Sequence, residues 1–400
     1  MGRYRRFRAW ARERWRLEGS SFLVPVDGPD GYEVVDPAHP TEGVNVIGYL
    51  DRASGLGEAA RELADALEST GVPVARIALG GTASPRLDPA SVPPLDQALL
   101  HDTNVVVVTA EQFPTLPLQL GTTLTGRRTI GYWFWELSQP SSRAAGSAAM
   151  VDEVWTATSF VRDAFDDQVP APVRLAPLPR PHPEPSARTR EGFGLPPDRV
   201  VILCSFDFFS VLERKNPEGA IAAFTRAFRP QEGPLLVIKT INGHRRWVES
   251  ERLRLAAGDR SDIHLWDENL SRGDQLALVR AVDCQLSLHR SEGLGLHLLE
   301  AMALGTPVVA TGYSGPMDFL DADCAEIVPF ELVPVTNGEG AYSESATWAE
   351  PDIDAAAAAL RRIAGDPAHR TALAAAGRRA VDRIPDRMEA GDALRCLLHQ

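Results

Sequence analysis

Short, nearly continuous apolar runs recur along the chain, each bounded by turn residues. Residues 43–50, 72–79, 104–110 and 128–135 form one series; residues 199–208, 235–240, 261–265, 284–288 and 307–311 form another. Runs of this kind, rather than strict alternation, suit strands covered on both faces of a parallel sheet. Helical spacing falls between them. One helix is predicted over residues 58–70, stopped by Gly71, and one over 296–304. Another begins at Asn216-Pro217, where Asn is a good N-cap and Pro suits the first helical position. Residues 152–165 read as strand, turn and helix, capped by Thr158 or Ser159, and residues 342–351 as a loop. Two alanine-rich helices come last. Strands alternating with helices give an α/β chain with parallel sheets.

Residues 170–185 hold seven prolines in sixteen positions, and Pro lacks the N–H that strands and helices need. That stretch reads as an extended connector and divides the chain. The expected domains are a basic arm (1–30), a first Rossmann-like domain (31–180) and a second (181–385). A closing helix (386–400) either ends there or crosses back to the first domain. Four hundred residues allow two such cores. Apolar content of 44% and charged content of 24% are those of a globular protein. A formal charge of −13 argues against nucleic acid as a partner, since phosphate neutralisation needs a basic face. Cys204, Cys284, Cys324 and Cys396 lie too far apart for zinc-ligand spacing and read as reduced, cytosolic core cysteines. No apolar run is long enough to span a membrane. Residues 1–17 carry seven arginines interleaved with Phe7, Trp10, Trp15 and Leu17. Such a stretch fits peripheral contact with an anionic membrane face, and equally a free or self-docked arm.

The chemistry concentrates in residues 283–314. They read as strand, a loop Glu292-Gly293-Leu294-Gly295, a helix from Leu296, and a second strand, which together make one parallel crossover. The loop opens a helix N-terminus, whose N–H groups and aligned dipoles favour an anion. Its glycines let a ligand approach the main chain. Glu292 stands before the loop and Glu300 about one turn inside the helix, roughly 6 Å from Leu296. Seven residues separate the two acids. A ligand anionic at its centre and rich in hydroxyls at both ends fits this layout.

The stretch from Glu292 to Ala310 resembles the E-x7-E signature of the retaining glycosyltransferases of family 4. That resemblance implies a GT-B fold, with two Rossmann-like domains facing across a cleft. It also implies transfer of a sugar from a nucleoside diphosphate sugar to a hydroxyl acceptor: a lipid-linked saccharide, a polysaccharide end or a natural product. By position, Glu292 takes the donor sugar, the main chain of Gly293, Leu294, Gly295 and Leu296 the diphosphate, and Glu300 the ribose. Arg214 and Lys215 match a cation pair that grips the diphosphate in the family, although Ser205-Phe206-Asp207 lacks an earlier arginine that several members carry. In resembling enzymes the leaving phosphate takes the acceptor's proton, so neither a dedicated base nor a metal or other cofactor is implied.

Other residues carry weaker signals. Lys239, at a strand end, is a second phosphate candidate. The loop 266–271 is placed to flank the nucleobase. His289 reads as a structural hydrogen-bonding residue. Asp321-Ala322-Asp323 spells a metal motif of another glycosyltransferase fold without that fold's preceding strand, and reads as a surface loop. Gly55-Leu56-Gly57 opens the first helix; close approach to donor or acceptor and a tight turn requiring φ > 0 are both open. Tyr132, Trp133, Trp135 and Glu136 lie in G-Y-W-F-W-E-L, which resembles one branch of the family and stands where many members have a histidine. Trp133, Trp135 and Glu136 are candidates for sugar or acceptor contact, with core packing as the alternative. Two rival functions remain. One is a nicotinamide oxidoreductase using Gly55-Leu56-Gly57, which lacks a ribose-binding acid after the second strand. The other is a non-catalytic sugar-nucleotide-binding subunit.

Overall fold

The computed structural model describes residues 34–400 except 83, 121–123, 125, 336–341 and 343–345. The basic stretch 1–17, with the membrane contact read from it, lies outside the described residues. The chain divides into two compact units: the first holds residues up to Pro179 with Val335–Ala346 and Arg387–Gln400, the second Arg180–Pro334 and Thr347–Asp386. The longer helices are α1 (Gly55–Ser69), α2 (Pro217–Ala227), α3 (Trp247–Ala257), α4 (Arg272–Ala281), α5 (Leu296–Leu304), α6 (Ile353–Gly365), α7 (Pro367–Asp382) and α8 (Arg387–Leu398).

In the first unit, β1 (Thr41–Gly48), β2 (Val74–Ala78), β3 (His101–Thr109), β4 (Arg128–Phe134), β5 (Glu153–Thr156) and β6 (Val173–Leu175) form a parallel sheet ordered β2-β1-β3-β4-β5-β6. The valine run Val105–Val108 is fully buried, as strands covered on both faces require. A polar row pins the register. Asn45 donates to Asn104 (2.9 Å), which donates to Thr129 (3.1 Å), across neighbouring strands. Slipping by one residue would strand these buried amides. Helix α8 completes the core: Ala390 and Leu394 pack with Leu63 and Leu67 of α1. Gly391 lies so close that a Cβ would sit 2.1 Å from the Ala66 carbonyl oxygen. The proline-rich stretch is not extended connector throughout, because residues 173–175 within it form the edge strand β6. Proline is tolerated beside an edge, where one side of the ladder faces solvent.

In the second unit, β7 (Val201–Asp207), β8 (Leu235–Ile241), β9 (Ile263–Asp267), β10 (Cys284–Ser287), β11 (Val308–Thr311) and β12 (Glu326–Val328) form a second parallel sheet, ordered β12-β11-β10-β7-β8-β9. Side chains of β7 alternate between two cores. Ile202, Cys204 and Phe206 join α2, α3 and α6, while Val201 and Leu203 join α4, α5 and α7. The region 342–351 is not all loop. Thr347–Pro351 (β14) pairs antiparallel with Phe330–Pro334 (β13), a partner that its own local sequence does not announce. Trp266 likewise belongs to β9 rather than to the loop after it. Cys204, Cys284 and Cys324 are buried, whereas Cys396 is exposed on α8. Among the described residues no helix is long and apolar enough to cross a membrane.

Candidate functional site

Crossings from β7 and β10 into the segments after them meet at the carboxyl edge of the second sheet, where open α/β sheets bind ligands. After β7 the chain makes a short helical turn, Leu212–Lys215, flanked by Val211 (φ +63°) and Asn216 (φ +50°). Asn216 accepts from the Gly219 amide and donates to the Leu288 carbonyl, which joins the start of α2 to the end of β10. A β-branched residue at positive φ is strained, and strain of this kind persists only where surroundings over-determine it. Ser314, opposite, has φ +68°.

These turns bring the charges together. Glu292 is buried, with Arg214 Nη1 3.2 Å from its Oε2 and the Lys215 ammonium on its Oε1. Burial alone would raise the Glu292 carboxyl, but Lys215 and Arg214 outweigh it and hold the group well below the usual carboxylate range. Arg214 Nη1 also donates to the Ser291 carbonyl at 3.0 Å. The main chain of Glu292 is fixed from the other side: its N–H donates to Ser314 Oγ (2.8 Å) and its carbonyl accepts from the Gly315 N–H (2.9 Å). Gly315 has no room for a side chain, because a Cβ there would lie 2.1 Å from the Gly293 oxygen. Gly295 caps α5 at φ +85°, a conformation that suits glycine. The N–H groups of Leu294, Gly295 and Leu296 take no hydrogen bond among the described residues. Unpartnered amides at a helix start, beside two cations, form an anion-binding surface.

Two histidines, His289 buried and His297 half-buried, support this edge. His289 Nε2 lies 3.3 Å from the Tyr313 carbonyl, which only accepts, so in the neutral ring Nδ1 is the acceptor. Ser287 then donates to that Nδ1 (3.0 Å), and its oxygen is left to accept from His297 Nε2 (3.4 Å). Tyr313 O also accepts from Ser314 Oγ, the group holding the Glu292 amide. Loss of hydration lowers both rings, His289 to about 4 and His297 to about 3, with Lys215 adding to the effect on His297. Both are neutral at pH 7.

Eight positions on from Glu292, Glu300 is buried on α5 and accepts both terminal nitrogens of Arg272, at 2.5 and 3.2 Å. Arg272, which sequence reading did not single out, begins α4. Only the pairing of acids and bases 28 residues apart could have marked it. Lys239 is turned inward: its ammonium donates to the Thr240 carbonyl (3.0 Å) and the Glu268 carbonyl, and burial lowers it to about 8. A lysine so engaged by main-chain oxygens has little left for a phosphate. Asp321 accepts from the amides of Asp323 and Cys324 in a surface turn. Among the described residues no three His, Cys, Asp or Glu side chains gather as metal ligands.

The first unit holds its own candidates. Ser54 caps α1, accepting from the Gly57 amide at 3.1 Å. Neither Gly55 nor Gly57 has positive φ, which removes the tight-turn reading. Gly57 is needed for closeness, since a Cβ would meet the Tyr49 and Arg52 oxygens at 2.5 and 2.6 Å. Gly55 is exposed with open space about its Cα, and Leu56 follows it at the helix mouth. Trp133 and Trp135 are not sugar platforms. Trp133 is fully buried against Phe113 and Phe165, and Trp135 is buried against Phe165 and Tyr342 with its N–H on the Gln139 carbonyl. Glu136 is half-buried and accepts from the Tyr342 hydroxyl at 3.0 Å.

Residues 187–329 match the family described as "Glycosyl transferases group 1". The chain is 29% identical over 204 residues to a D-inositol 3-phosphate glycosyltransferase of Acidothermus cellulolyticus; the match covers 48% of this chain and 42% of that protein, so it spans less than half of the relative's length. Among solved structures, sucrose-phosphate synthase from Thermosynechococcus elongatus superposes with a TM-score of 0.63 at 18% identity, covering 90% of this chain and 99% of the other. WaaG, a glycosyltransferase involved in lipopolysaccharide biosynthesis, gives 0.59 at 16%, over 90% and 100%. The Anabaena protein Alr3699/HepE, solved with UDP-glucose, gives 0.60 at 14%, again over 90% and 100%. The fold is the two-sheet α/β architecture of GT-B glycosyltransferases.

Proposed function

We propose that this protein is a retaining glycosyltransferase that moves a sugar from a nucleoside diphosphate sugar to a hydroxyl acceptor, with no metal and no further cofactor. The observation that carries this reading is the buried Glu292, held between Arg214 and Lys215 beside the open amides of Leu294, Gly295 and Leu296. Those amides and cations receive the donor diphosphate, and Glu292 orients the sugar. Glu300 accepts the ribose hydroxyls. The bond from the anomeric carbon to the diphosphate oxygen breaks as the acceptor oxygen bonds to that carbon, and the acceptor's proton passes to the departing phosphate. Fixed cations and helix amides stabilise the negative charge that grows on the leaving group. The family match over residues 187–329 and the bound UDP-glucose of the Anabaena relative support the choice of ligand. Gly55, Leu56 and Glu136 are proposed for the acceptor side, which a lipid-linked saccharide, a polysaccharide end or a natural product would fill. We place the protein in the cytoplasm, with residues 1–17 as the segment that meets a membrane's inner face.

A thermal-shift screen against UDP, GDP, ADP and TDP and their common sugar conjugates tests the proposal. A rise in melting temperature with one nucleoside diphosphate, together with slow release of that diphosphate from its sugar conjugate, is expected. Stabilisation by NAD alone would support an oxidoreductase instead. Binding without any donor turnover would leave a non-catalytic subunit.

A further inference from the structure

We infer that Ser314 is a positioning residue for sugar transfer: its hydroxyl sets the main chain of Glu292, and the fold holds a strained backbone to keep it there. This inference rests on the proposed transferase reading. Ser314 follows β11 with φ +68° and ψ −154°, a region of backbone space that belongs essentially to glycine. At other positive-φ positions close by the chain uses glycine, as at Gly295 and Gly305. Glycine would serve the turn at 314 as well, so what serine adds there is its hydroxyl. That hydroxyl is not spent on capping, the usual role of serine before a helical turn, because no cap bond joins it to Gly315–Asp318. Instead it donates to the Tyr313 carbonyl at 2.6 Å and accepts from the Glu292 amide at 2.8 Å. With its one proton committed to Tyr313, the oxygen turns a lone pair to Glu292. The next residue completes the clamp, since the Gly315 N–H donates to the Glu292 carbonyl at 2.9 Å. Both main-chain polar groups of Glu292 are thus tied to residues 314 and 315, while its carboxylate is tied to Arg214 and Lys215. The clamp fixes where the side chain starts, and the cations fix where it ends. Ser314 therefore acts on the sugar through Glu292, whereas the diphosphate is received by other groups.

The test compares wild type, Ser314→Gly and Ser314→Ala as full chains. Release of nucleoside diphosphate is followed from UDP-glucose, UDP-N-acetylglucosamine, GDP-mannose, ADP-glucose and TDP-glucose. On whichever of these wild type acts, turnover of both variants should fall about ten- to a hundredfold, the range for a group misplaced by about an ångström. The Michaelis constant, and the affinity for the free nucleoside diphosphate, should change by less than about twofold, because the cations and open amides are untouched. Melting curves test the strain. Ser314→Gly should melt above Ser314→Ala by about 2 °C or more, reversing the usual order of alanine over glycine, since only glycine relaxes at this backbone angle. Wild-type turnover in either variant would overturn the inference. So would a loss carried by the Michaelis constant with turnover intact, or Ser314→Gly melting below Ser314→Ala. If wild type releases diphosphate from none of the five, the transferase reading itself fails.

Discussion

Replacing Glu292 by glutamine keeps the shape of the side chain and removes its charge from between two cations. At an effective dielectric of about 20, the 3.2 Å approach of Arg214 to Glu292 is worth about 5 kcal/mol gross, much of it offset by desolvation. Breaking a buried pair by removing one partner costs roughly 3–5 kcal/mol, because the remaining charge is left uncompensated. At about 2–4 °C per kcal/mol for a unit of this size, the melting temperature of Glu292→Gln should fall by roughly 6–20 °C. A diphosphate then becomes the missing counter-charge. It no longer faces an anion across roughly 6–8 Å, a repulsion of about 2–3 kcal/mol at the same dielectric. Diphosphate affinity should therefore rise about tenfold or more, although sugar transfer and donor hydrolysis fall by at least about a hundredfold for want of the orienting acid. Calorimetry with UDP, a melting curve, and release of diphosphate from the responsive donor give the three quantities. A variant that melts like wild type, binds UDP no better and turns over donor at the original rate would refute both the charge balance and the role of Glu292.

Three more outcomes follow from the geometry. His289 and His297 are lowered to about 4 and about 3 from an ordinary value near 6.5, so the folded chain holds fewer protons there than the unfolded one. Their stabilising effect is complete above pH 6.5 and is lost as pH falls toward 3–4; in NMR their ring protons should not titrate between pH 5 and 8. Gly391→Ala drives a methyl into the Ala66 carbonyl and should lower stability by about 2 kcal/mol or more, read by denaturant melts, with UDP affinity unchanged. Trp133→Ala should lower stability by roughly 3–5 kcal/mol as a core cavity, and calorimetry should show donor diphosphate affinity little altered in the protein that remains folded.

What the sequence made legible was what is local. The strand, glycine loop and helix from Cys284 to Leu304 could be placed because their signals lie within one short span, and the start of α2 because Asn216-Pro217 carries both cap and first-turn chemistry. Where a residue's fate depends on distant partners, reading failed or stayed open. Trp133 and Trp135 are buried by Phe113, Phe165 and Tyr342, none of them neighbours in the chain. Residues 347–351 have a weak strand signature, with a proline and a glutamate, and become a strand only against Phe330–Pro334. Lys239 ended a strand as expected, yet nothing in its surroundings along the chain tells that two carbonyls would claim it.

Helix α8 closes the core of a unit that begins more than three hundred residues earlier. During synthesis, then, the apolar flank of α1 stays uncovered until residues 387–398 have been made. Until that moment Leu63 and Leu67 lack the packing of Ala390 and Leu394, and the nascent chain carries a sticky surface that chaperones would recognise. A polypeptide cut short before Arg387 would keep every strand of the second sheet and leave the core of the first unit unfinished.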